Sequence, residues 1–332
     1  MMTTTTQLNY RELAKQVLQG HELTKEEALA LLEAPDEDLL DILHSAYEIR
    51  KHYYGNKVKL NMIINAKSGL CPEDCGYCSQ SIVADTPVEK YAMLNKDSIL
   101  AGAQEAINRK AGTYCIVASG RRPSENELDG VIEAIKEIRE TTSLKICACL
   151  GFLSETHAGK LAEAGVHRYN HNLNTDKSNY DNICSTHTYD DRVDTVQKVK
   201  DSGMSPCSGV IMGMGESSQE LVNVAFSVKA LDVDSIPVNF LNSIDGTPLQ
   251  GTQHLNPRHC LKAVAMFRFV NPTKEIRLSG GREINLRSLQ AMGLYAANSI
   301  FVGDYLTTQG QEPTSDWGMI QDLGFEIEEC AL

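Results

Sequence analysis

Three cysteines, Cys71, Cys75 and Cys78, lie in one short segment with the spacing C-x3-C-x2-C. Three thiolates from one loop can hold three corners of a cubic iron–sulfur cluster, which leaves the fourth iron open. Pro72 and Gly76 favour a loop that wraps around a single object. The segment therefore predicts a metal centre whose open iron can bind a substrate or a cofactor.

Two other interpretations of this segment are a structural zinc site and a redox pair. A structural zinc site normally has four ligands, often as two CxxC or Cys/His pairs, and no second pair follows nearby in the sequence. A thioredoxin-like redox pair would use Cys75 and Cys78, but Cys71 would then be surplus. The spacing favours an iron–sulfur cluster over both alternatives.

Three further cysteines, Cys115, Cys147 and Cys207, lie in separate apolar runs that are typical of strands. Inward-facing positions on different strands of a barrel converge in its interior, so these thiols can meet there. A lone strand cysteine is more often a small hydrophobic core residue. Cys149 shares the strand face of Cys147, and the pattern alone does not choose between the two.

The elements that must position these cysteines alternate regularly between strand and helix. Such alternation is typical of a parallel sheet. Eight units over about 250 residues fit a TIM-type (β/α)8 barrel. A doubly wound open sheet is the alternative. The three-cysteine loop follows the first predicted strand, on the face where barrel active sites form. The predicted strands are Leu60–Ile64, Tyr114–Ala118, Leu144–Leu150, His167–Leu173, Cys207–Met212, Ser235–Leu241, Glu275–Leu278 and Ser299–Val302.

Residues 1–55 contain no strand candidate and are predicted to form an N-terminal helical extension, with a capping box from Thr24 to Glu27. We expect the barrel to span residues 56–310, and residues 311–332 to form a C-terminal helix and tail. The last predicted helix of the barrel is Glu283–Ala297.

Charge and hydropathy exclude several classes of protein. The formal net charge is −13, from 31 basic and 44 acidic residues, which is unsuited to tracking a phosphate backbone or an anionic membrane. No run approaches the ~18 apolar residues of a membrane span, and the start of the chain lacks a signal-peptide pattern. We therefore expect a cytoplasmic protein that binds neither nucleic acid nor membrane.

The three-cysteine loop, with an aromatic residue just before its last cysteine, resembles the radical S-adenosylmethionine (SAM) superfamily. This resemblance implies that the open iron of a 4Fe–4S cluster chelates the amino and carboxylate groups of SAM. Electron transfer through the cluster then cleaves SAM to methionine and a 5′-deoxyadenosyl radical, while the protein positions and shields the reactants. The resemblance places Tyr77 near the adenine.

More specific segments resemble the biotin synthase family, over the chain from about Tyr10 to Gly324. They are the three strand-cysteine contexts, the Tyr169–Thr175 turn and the run Arg-Leu-Ser-Gly-Gly-Arg that begins at Arg277. The resemblance implies a buried 2Fe–2S cluster whose ligands are Cys115, Cys147, Cys207 and Arg277. Without it, Arg277 would be read as an ion-pair or substrate-carboxylate partner, because arginine offers only hydrogen-bond donors.

The same resemblance assigns roles to polar residues at strand ends. Asn170 and Asn172 contact the ring of dethiobiotin or the polar groups of SAM, and Asn239 contacts the ureido ring. Asn174 occupies a position where some relatives carry an aspartate against the SAM ribose, and Thr113 one where some carry a basic residue. The resemblance places Gly213 and Gly215 along the SAM site. It gives no role to four cysteines, Cys149, Cys184, Cys260 and Cys330.

The implied reaction inserts sulfur into dethiobiotin to form biotin, the last step of biotin biosynthesis, with two SAM molecules cleaved and the 2Fe–2S cluster as sulfur source. No catalytic residue beyond the cluster ligands is implied. The implied partners are dethiobiotin, a flavodoxin or ferredoxin-type electron donor, the iron–sulfur assembly machinery and a second copy in a homodimer. Two alternatives remain open: a related radical SAM enzyme without the inner cluster, and a zinc-stabilised binding protein.

Overall fold

The computed structural model describes residues 8–69 and 71–329. Its centre is a closed barrel of eight parallel strands, because neighbouring strands pair in chain order and the first pairs with the last. The predicted (β/α)8 barrel is confirmed, and closure excludes an open doubly wound sheet. The barrel strands are β1 (Lys57–Lys67), β2 (Thr113–Ala118), β3 (Lys145–Cys149), β4 (Arg168–Asn170), β5 (Ser205–Cys207), β6 (Val210–Met212), β7 (Ser235–Phe240), β8 (Glu275–Leu278) and β9 (Ser299–Phe301).

The fifth barrel strand is interrupted, so β5 and β6 are its two halves. Both halves pair with β7, and Ser208 and Gly209 separate them. A Cβ atom added to Gly209 would lie 2.0 Å from the backbone oxygen of Pro237, so the two chains pass closely at this point. The single predicted strand Cys207–Met212 was therefore only partly right.

Helices surround the barrel, and several begin with a side-chain cap in the segment that follows a strand. Ser124, Thr188 and Ser217 each form a capping box, which satisfies backbone N–H groups at the end of the barrel where the site lies. Across residues 8–69 and 71–329, every helix is too short or too polar to cross a membrane. The helices are α1 (Tyr10–Leu18), α2 (Lys25–Leu32), α3 (Leu39–Tyr54), α4 (Lys96–Asn108), α5 (Glu125–Thr141), α6 (Glu155–Glu163), α7 (Tyr180–Ile183), α8 (Tyr189–Asp201), α9 (Ser218–Ala230), α10 (Pro257–Val270), α11 (Arg282–Leu286) and α12 (Pro313–Asp322).

The prediction of one continuous last barrel helix over Glu283–Ala297 was wrong. Helix α11 ends at Leu286, and the chain continues as a 3-10 helix over Arg287–Tyr295. Arg287 has a φ of 53°, and a left-handed residue cannot continue a right-handed helix.

The N-terminal helices pack on helices from the late part of the barrel, since α2 contacts α9 and α10, and α3 contacts α10. Arg50, which is fully buried, donates from Nε to the carbonyl of Ala297 at 2.9 Å. Lys262 on α10 donates to the carbonyl of Ala34 at 2.6 Å. These bonds fix the extension to the barrel, while the division of the chain at residues 55 and 310 stays a prediction.

The C-terminal segment returns to the first barrel strand. A short strand β10 (Glu326–Ile327) pairs in parallel with Lys57 and Val58 at the start of β1. Helix α12 is held by Asp316, whose carboxylate accepts two hydrogen bonds from Arg282 at 2.7 and 2.9 Å. Cys330 lies outside the described residues.

Candidate active site

A cavity of about 400 Å³ lies within the barrel at the carboxyl ends of its strands. Residues of β1–β4 and β6–β9 line it, together with the loop that follows β1. All three cysteines of that loop belong to the lining, as do Cys115, Cys147 and Cys149 from two neighbouring strands. The arrangement brings the three loop cysteines to one cavity with Cys115 and Cys147 of the predicted strand group, whereas Cys207 is not part of the described lining.

The three-cysteine loop is fixed by backbone hydrogen bonds. Gly76 donates to the carbonyl of Ile183 at 2.8 Å, and the Cys78 N–H donates to the carbonyl of Cys75 at 3.1 Å. Burial raises the pKa of Cys71 and raises that of Cys78 to about 11. These thiols therefore stay protonated near neutral pH unless a bound cation stabilises their thiolates, as a metal centre does.

Two acidic residues inside the loop attach it to residues 184–187. Glu73, which is buried, accepts a hydrogen bond from Thr186 Oγ1 at 2.6 Å, contacts Nδ1 of His187 and pairs with Arg121 at 3.0 Å. Asp74 accepts hydrogen bonds from the backbone N–H groups of Ser185 and Thr186 at 3.0 and 3.2 Å. The sequence analysis gave none of these residues a role.

Cys184 also lies against the three-cysteine loop, although no role was predicted for it. Its Sγ is 3.8 Å from Sγ of Cys75, 3.3 Å from Nδ1 of His187 and 3.1 Å from Oδ1 of Asp74. The hydrogen bond from Cys75 is the main cause that lowers the pKa of Cys184, to about 4.

The strand cysteines form a second group deeper in the barrel. Cys115 on β2 lies opposite Cys147 on β3, and Cys207 on β5 lies opposite Asn170 on β4. All three cysteines are at most 3% exposed. Contact with Cys115, followed by burial, raises the pKa of Cys147, whereas the charge of nearby Arg277 lowers it.

Arg277 extends from β8 toward this second group and is held on one side. Its Nε donates to Ser299 Oγ at 3.2 Å, and its Nη2 donates to Ser235 Oγ at 3.1 Å and to Glu275 Oε1 at 2.5 Å. Among the described residues Nη1 has no hydrogen-bond partner. Burial lowers the pKa of Arg277, but Glu275 and the three strand cysteines outweigh burial and raise it, so the group is a cation in the cluster-free chain.

Glu275 is a buried carboxylate shared by several cations. Arg168 donates to it at 3.0 Å, and Lys59 lies 3.4 Å away. Burial raises the pKa of Glu275, but Arg168 and Arg277 more than offset this effect and hold it well below the usual range. The sequence analysis missed both Glu275 and Arg168, because nothing in either strand distinguishes a buried ion pair from an ordinary strand end.

The predicted asparagines all line the cavity. Asn170 donates to Asn172 Oδ1 at 3.0 Å and lies 3.2 Å from Cys207 Sγ. Asn174 has a φ of 72° and donates to the hydroxyl of Tyr77 at 2.8 Å. Asn239 is bonded to its neighbours on both sides, donating to Val210 O at 3.0 Å and accepting from Gly280 N at 3.0 Å.

Gly213 and Gly215 are not brought to the cavity, since its described lining does not include them. The Gly213 N–H instead donates to Glu216 Oε1 at 2.5 Å, and Met214 N donates to the other oxygen of that carboxylate at 2.8 Å. The two glycines belong to a turn that Glu216 closes.

Sequence analysis also missed Arg192, a buried residue of α8 that lines the cavity. Its guanidinium contacts Tyr180, donates to His187 Nε2 at 2.8 Å and lies 6.0 Å from the ring centre of Phe152. The only nearby sequence signal is the capping box at Thr188, which predicts a helix and says nothing about a cation facing a cavity.

Two buried polar atoms of the cavity lining, His171 Nε2 and Ser119 Oγ, have no hydrogen-bond partner in the described part of the chain. Buried polar atoms normally make a hydrogen bond, so these two atoms are available to bond a polar ligand. Three thiols on one loop fit a 4Fe–4S cluster with an open iron, and the buried strand thiols beside one guanidinium fit a second, smaller cluster.

Two family models match the chain. Residues 67–228 match the radical SAM superfamily, and residues 237–326 match the biotin and thiamin synthesis associated domain. The first match contains both groups of cysteines, and the second contains Arg277 and Asn239.

Among curated relatives, biotin synthase from Bacillus thuringiensis (strain Al Hakam) is 68% identical over 327 residues, which is 98% of each chain. Biotin synthase from Bacillus anthracis gives the same values. Among solved structures, methylornithine synthase superposes with a TM-score of 0.84 at 19% identity, over 96% of this chain and 97% of that one. The FeFe-hydrogenase maturase HydG from Carboxydothermus hydrogenoformans gives a TM-score of 0.81 at 16% identity, over 97% and 80%. These two structures show the shared fold alone.

Proposed function

The chain belongs to the biotin synthase family, and we propose on that premise how its own residues serve sulfur insertion into dethiobiotin. As a member of this family it is a radical SAM sulfurtransferase that forms biotin. The observation that supports the residue assignment is that the three loop thiols line a single cavity together with Cys115 and Cys147 on the strands. Cys207 is buried beside Asn170, which belongs to the same lining.

In this assignment Cys71, Cys75 and Cys78 hold the 4Fe–4S cluster, and Cys115, Cys147, Cys207 and Arg277 hold a 2Fe–2S cluster. When bound, the first cluster with SAM supplies the radical that removes hydrogen atoms, and the second supplies sulfur. Three observations support the inner site: the burial of its thiols, the cation held beside them, and Nη1 of Arg277, which has no hydrogen-bond partner in the described part of the chain.

The remaining lining residues bind and orient the small molecules. Arg192 is a buried cation beside the loop, which suits the carboxylate of SAM, and Tyr77 with Asn174 forms a bonded pair that suits the adenosine portion. Asn170, Asn172 and Asn239 present amides to the cavity for the ring of dethiobiotin. We leave Gly213 and Gly215 out of the assignment, because the cavity lining does not support them.

The barrel also restricts access of water to the reacting atoms. The strand cysteines are almost completely buried, and a reactive intermediate in an enclosed site is protected from side reactions. A reductant outside the chain must supply electrons, and we propose a flavodoxin or ferredoxin-type donor. We further propose a homodimer, with clusters delivered by iron–sulfur assembly machinery.

The test is the metal content and the visible spectrum of protein reconstituted without oxygen. Wild type should hold about six irons per chain, as one 4Fe–4S and one 2Fe–2S cluster. Cys115→Ser should keep about four irons and lose the 2Fe–2S absorption, whereas Cys71→Ser should show the reverse loss. Cys260→Ser is the matched control, because Cys260 is buried on α10 and outside the cavity lining.

Different outcomes separate the alternatives. About four irons in wild type, with no second cluster signal, would contradict the inner site and leave a radical SAM enzyme of another kind. Zinc without iron would remove the radical mechanism altogether.

A further inference from the structure

Cys184 and His187 are reactive groups that the proposed mechanism does not use. Both are 5% exposed, and they lie beside Cys75, which is 7% exposed. One ligand atom from each of the three residues can be chosen so that all lie within 4.8 Å of one another. Two thiols and an imidazole in a buried cluster are the donor set that Zn²⁺ and similar cations prefer.

Two of the three ligand distances fit a tetrahedral centre. With Zn–S bonds of about 2.3 Å and Zn–N bonds of about 2.05 Å, tetrahedral angles place two sulfurs about 3.8 Å apart and a sulfur and a nitrogen about 3.6 Å apart. The Cys75 and Cys184 sulfurs are 3.8 Å apart. Nε2 of His187 lies 3.7 Å from the sulfur of Cys184.

The residues around His187 prepare Nε2 to be the metal ligand. Nδ1 of the ring contacts the buried carboxylate of Glu73, and a carboxylate on one ring nitrogen leaves the lone pair of the other free for a metal. Arg192 now donates to Nε2 at 2.8 Å and must release it, while keeping its bonds to Tyr180 and to the carbonyl of Asn172.

Asp74 helps to position Cys184 but is not one of the three clustered ligand residues. Oδ1 of Asp74 lies 3.1 Å from the sulfur of Cys184, and its backbone partners Ser185 and Thr186 hold the two segments together. No second ligand pair follows the three-cysteine loop in the sequence, yet the structure supplies Cys184 and His187 from more than 100 residues away.

We propose that Cys75, Cys184 and His187 form a binding site for one thiophilic divalent cation in the cluster-free chain, with solvent as the fourth ligand. Both sulfurs bind as thiolates, so any thiol proton still present passes to solvent, and binding involves no change of oxidation state. The inference rests on the proposed function in one respect. Because Cys75 is shared, the cation and the 4Fe–4S cluster exclude each other.

Co²⁺ is the probe, because tetrahedral thiolate ligation gives intense visible bands and a sulfur-to-cobalt charge-transfer band. The cluster-free chain, kept reduced and without oxygen, is titrated with Co²⁺. Wild type and Cys71→Ser/Cys78→Ser should both bind one Co²⁺ tetrahedrally, because those two cysteines are not ligands of this site. Cys184→Ser and His187→Gln should each weaken binding by more than about tenfold. Cys260→Ser should bind as wild type does.

Loss of the tetrahedral signal in Cys71→Ser/Cys78→Ser, with its retention in Cys184→Ser, would overturn the proposal, because the metal would then occupy the three-cysteine loop. If Cys184→Ser does not fold, as judged by circular dichroism, His187→Gln decides the same question.

Exclusion is tested separately by adding Zn²⁺ before cluster reconstitution. We expect Zn²⁺ to block 4Fe–4S formation in wild type and not in Cys184→Ser, which keeps all three loop cysteines. Equal block in both proteins would overturn the proposed exclusion. Failure of untreated wild type to form any 4Fe–4S cluster would instead refute the proposed function, so the two failures are distinguishable.

Discussion

Replacing Glu275 by glutamine should strongly destabilise the cluster-free barrel. The carboxylate is 3% exposed and pairs with two buried guanidiniums, Arg168 at 3.0 Å and Arg277 at 2.5 Å. Glutamine keeps the shape and removes the charge, which leaves two buried cations without a counter-ion. Breaking a buried pair in this way costs about 3–5 kcal/mol, and we expect a loss of this size at pH 7.

The pH dependence supplies a second check. The folded-state pKa of Glu275 lies well below its ordinary value of 4.5. The stability contributed by its charge is therefore fully present above pH 4.5 and is lost as the pH falls toward the folded-state pKa. The difference between wild type and Glu275→Gln should be constant from pH 7 to about pH 5.5 and should shrink below about pH 4.5.

The assay is urea unfolding of both cluster-free proteins, followed by circular dichroism. Glu328→Gln is the matched control, because Glu328 is 3.8 Å from Lys59 on the exposed side, and surface changes usually stay within about 0.5 kcal/mol. A loss of unfolding free energy below about 1 kcal/mol in Glu275→Gln would refute the view that this carboxylate neutralises Arg168 and Arg277.

Three further predictions follow from the site and the barrel. Burial holds the pKa of His171 well below 6.5 in the folded chain. Because the unfolded chain then binds one more proton, the free energy of unfolding of wild type should fall by about 1.4 kcal/mol per pH unit below 6.5. Urea unfolding at pH 7 and 5.5 should show a smaller fall for His171→Gln. Gly209→Ala should destabilise by about 1–3 kcal/mol, because the added Cβ meets the carbonyl of Pro237, whereas Gly130→Ala, in an open helix position, should not destabilise. Cys149→Ser should keep both clusters in iron analysis and spectrum, because the assigned ligands are intact; loss of the 2Fe–2S signal would make Cys149 a ligand.

The barrel could be predicted because its signal is repeated. Eight apolar runs alternate with amphipathic segments, and each run falls on a barrel strand. Departures occur where tertiary contacts decide local structure. The break at Ser208 and Gly209 reflects a close approach to Pro237, and the left-handed Arg287 ends a helix that periodicity alone would continue.

The site was predictable only where its ligands are close in sequence or resemble a known family. The spacing of Cys71, Cys75 and Cys78 is a local pattern, so it could be read directly. Cys184 and its neighbour His187 meet Cys75 and Glu73 across more than 100 residues, and no periodicity encodes such a contact. Glu275 was missed for the same reason, since its partner Arg168 is 107 residues away.

The attachment of the N-terminal helices to α9 and α10 also affects the order of events during synthesis. Helices α2 and α3 leave the ribosome early, but the helices on which they pack are made only when residues 218–270 have emerged. At about 5–20 residues per second, this delay is on the order of 10–50 s. During that interval their apolar faces lack a native partner, so nascent chains stalled before α10 should be especially dependent on chaperones.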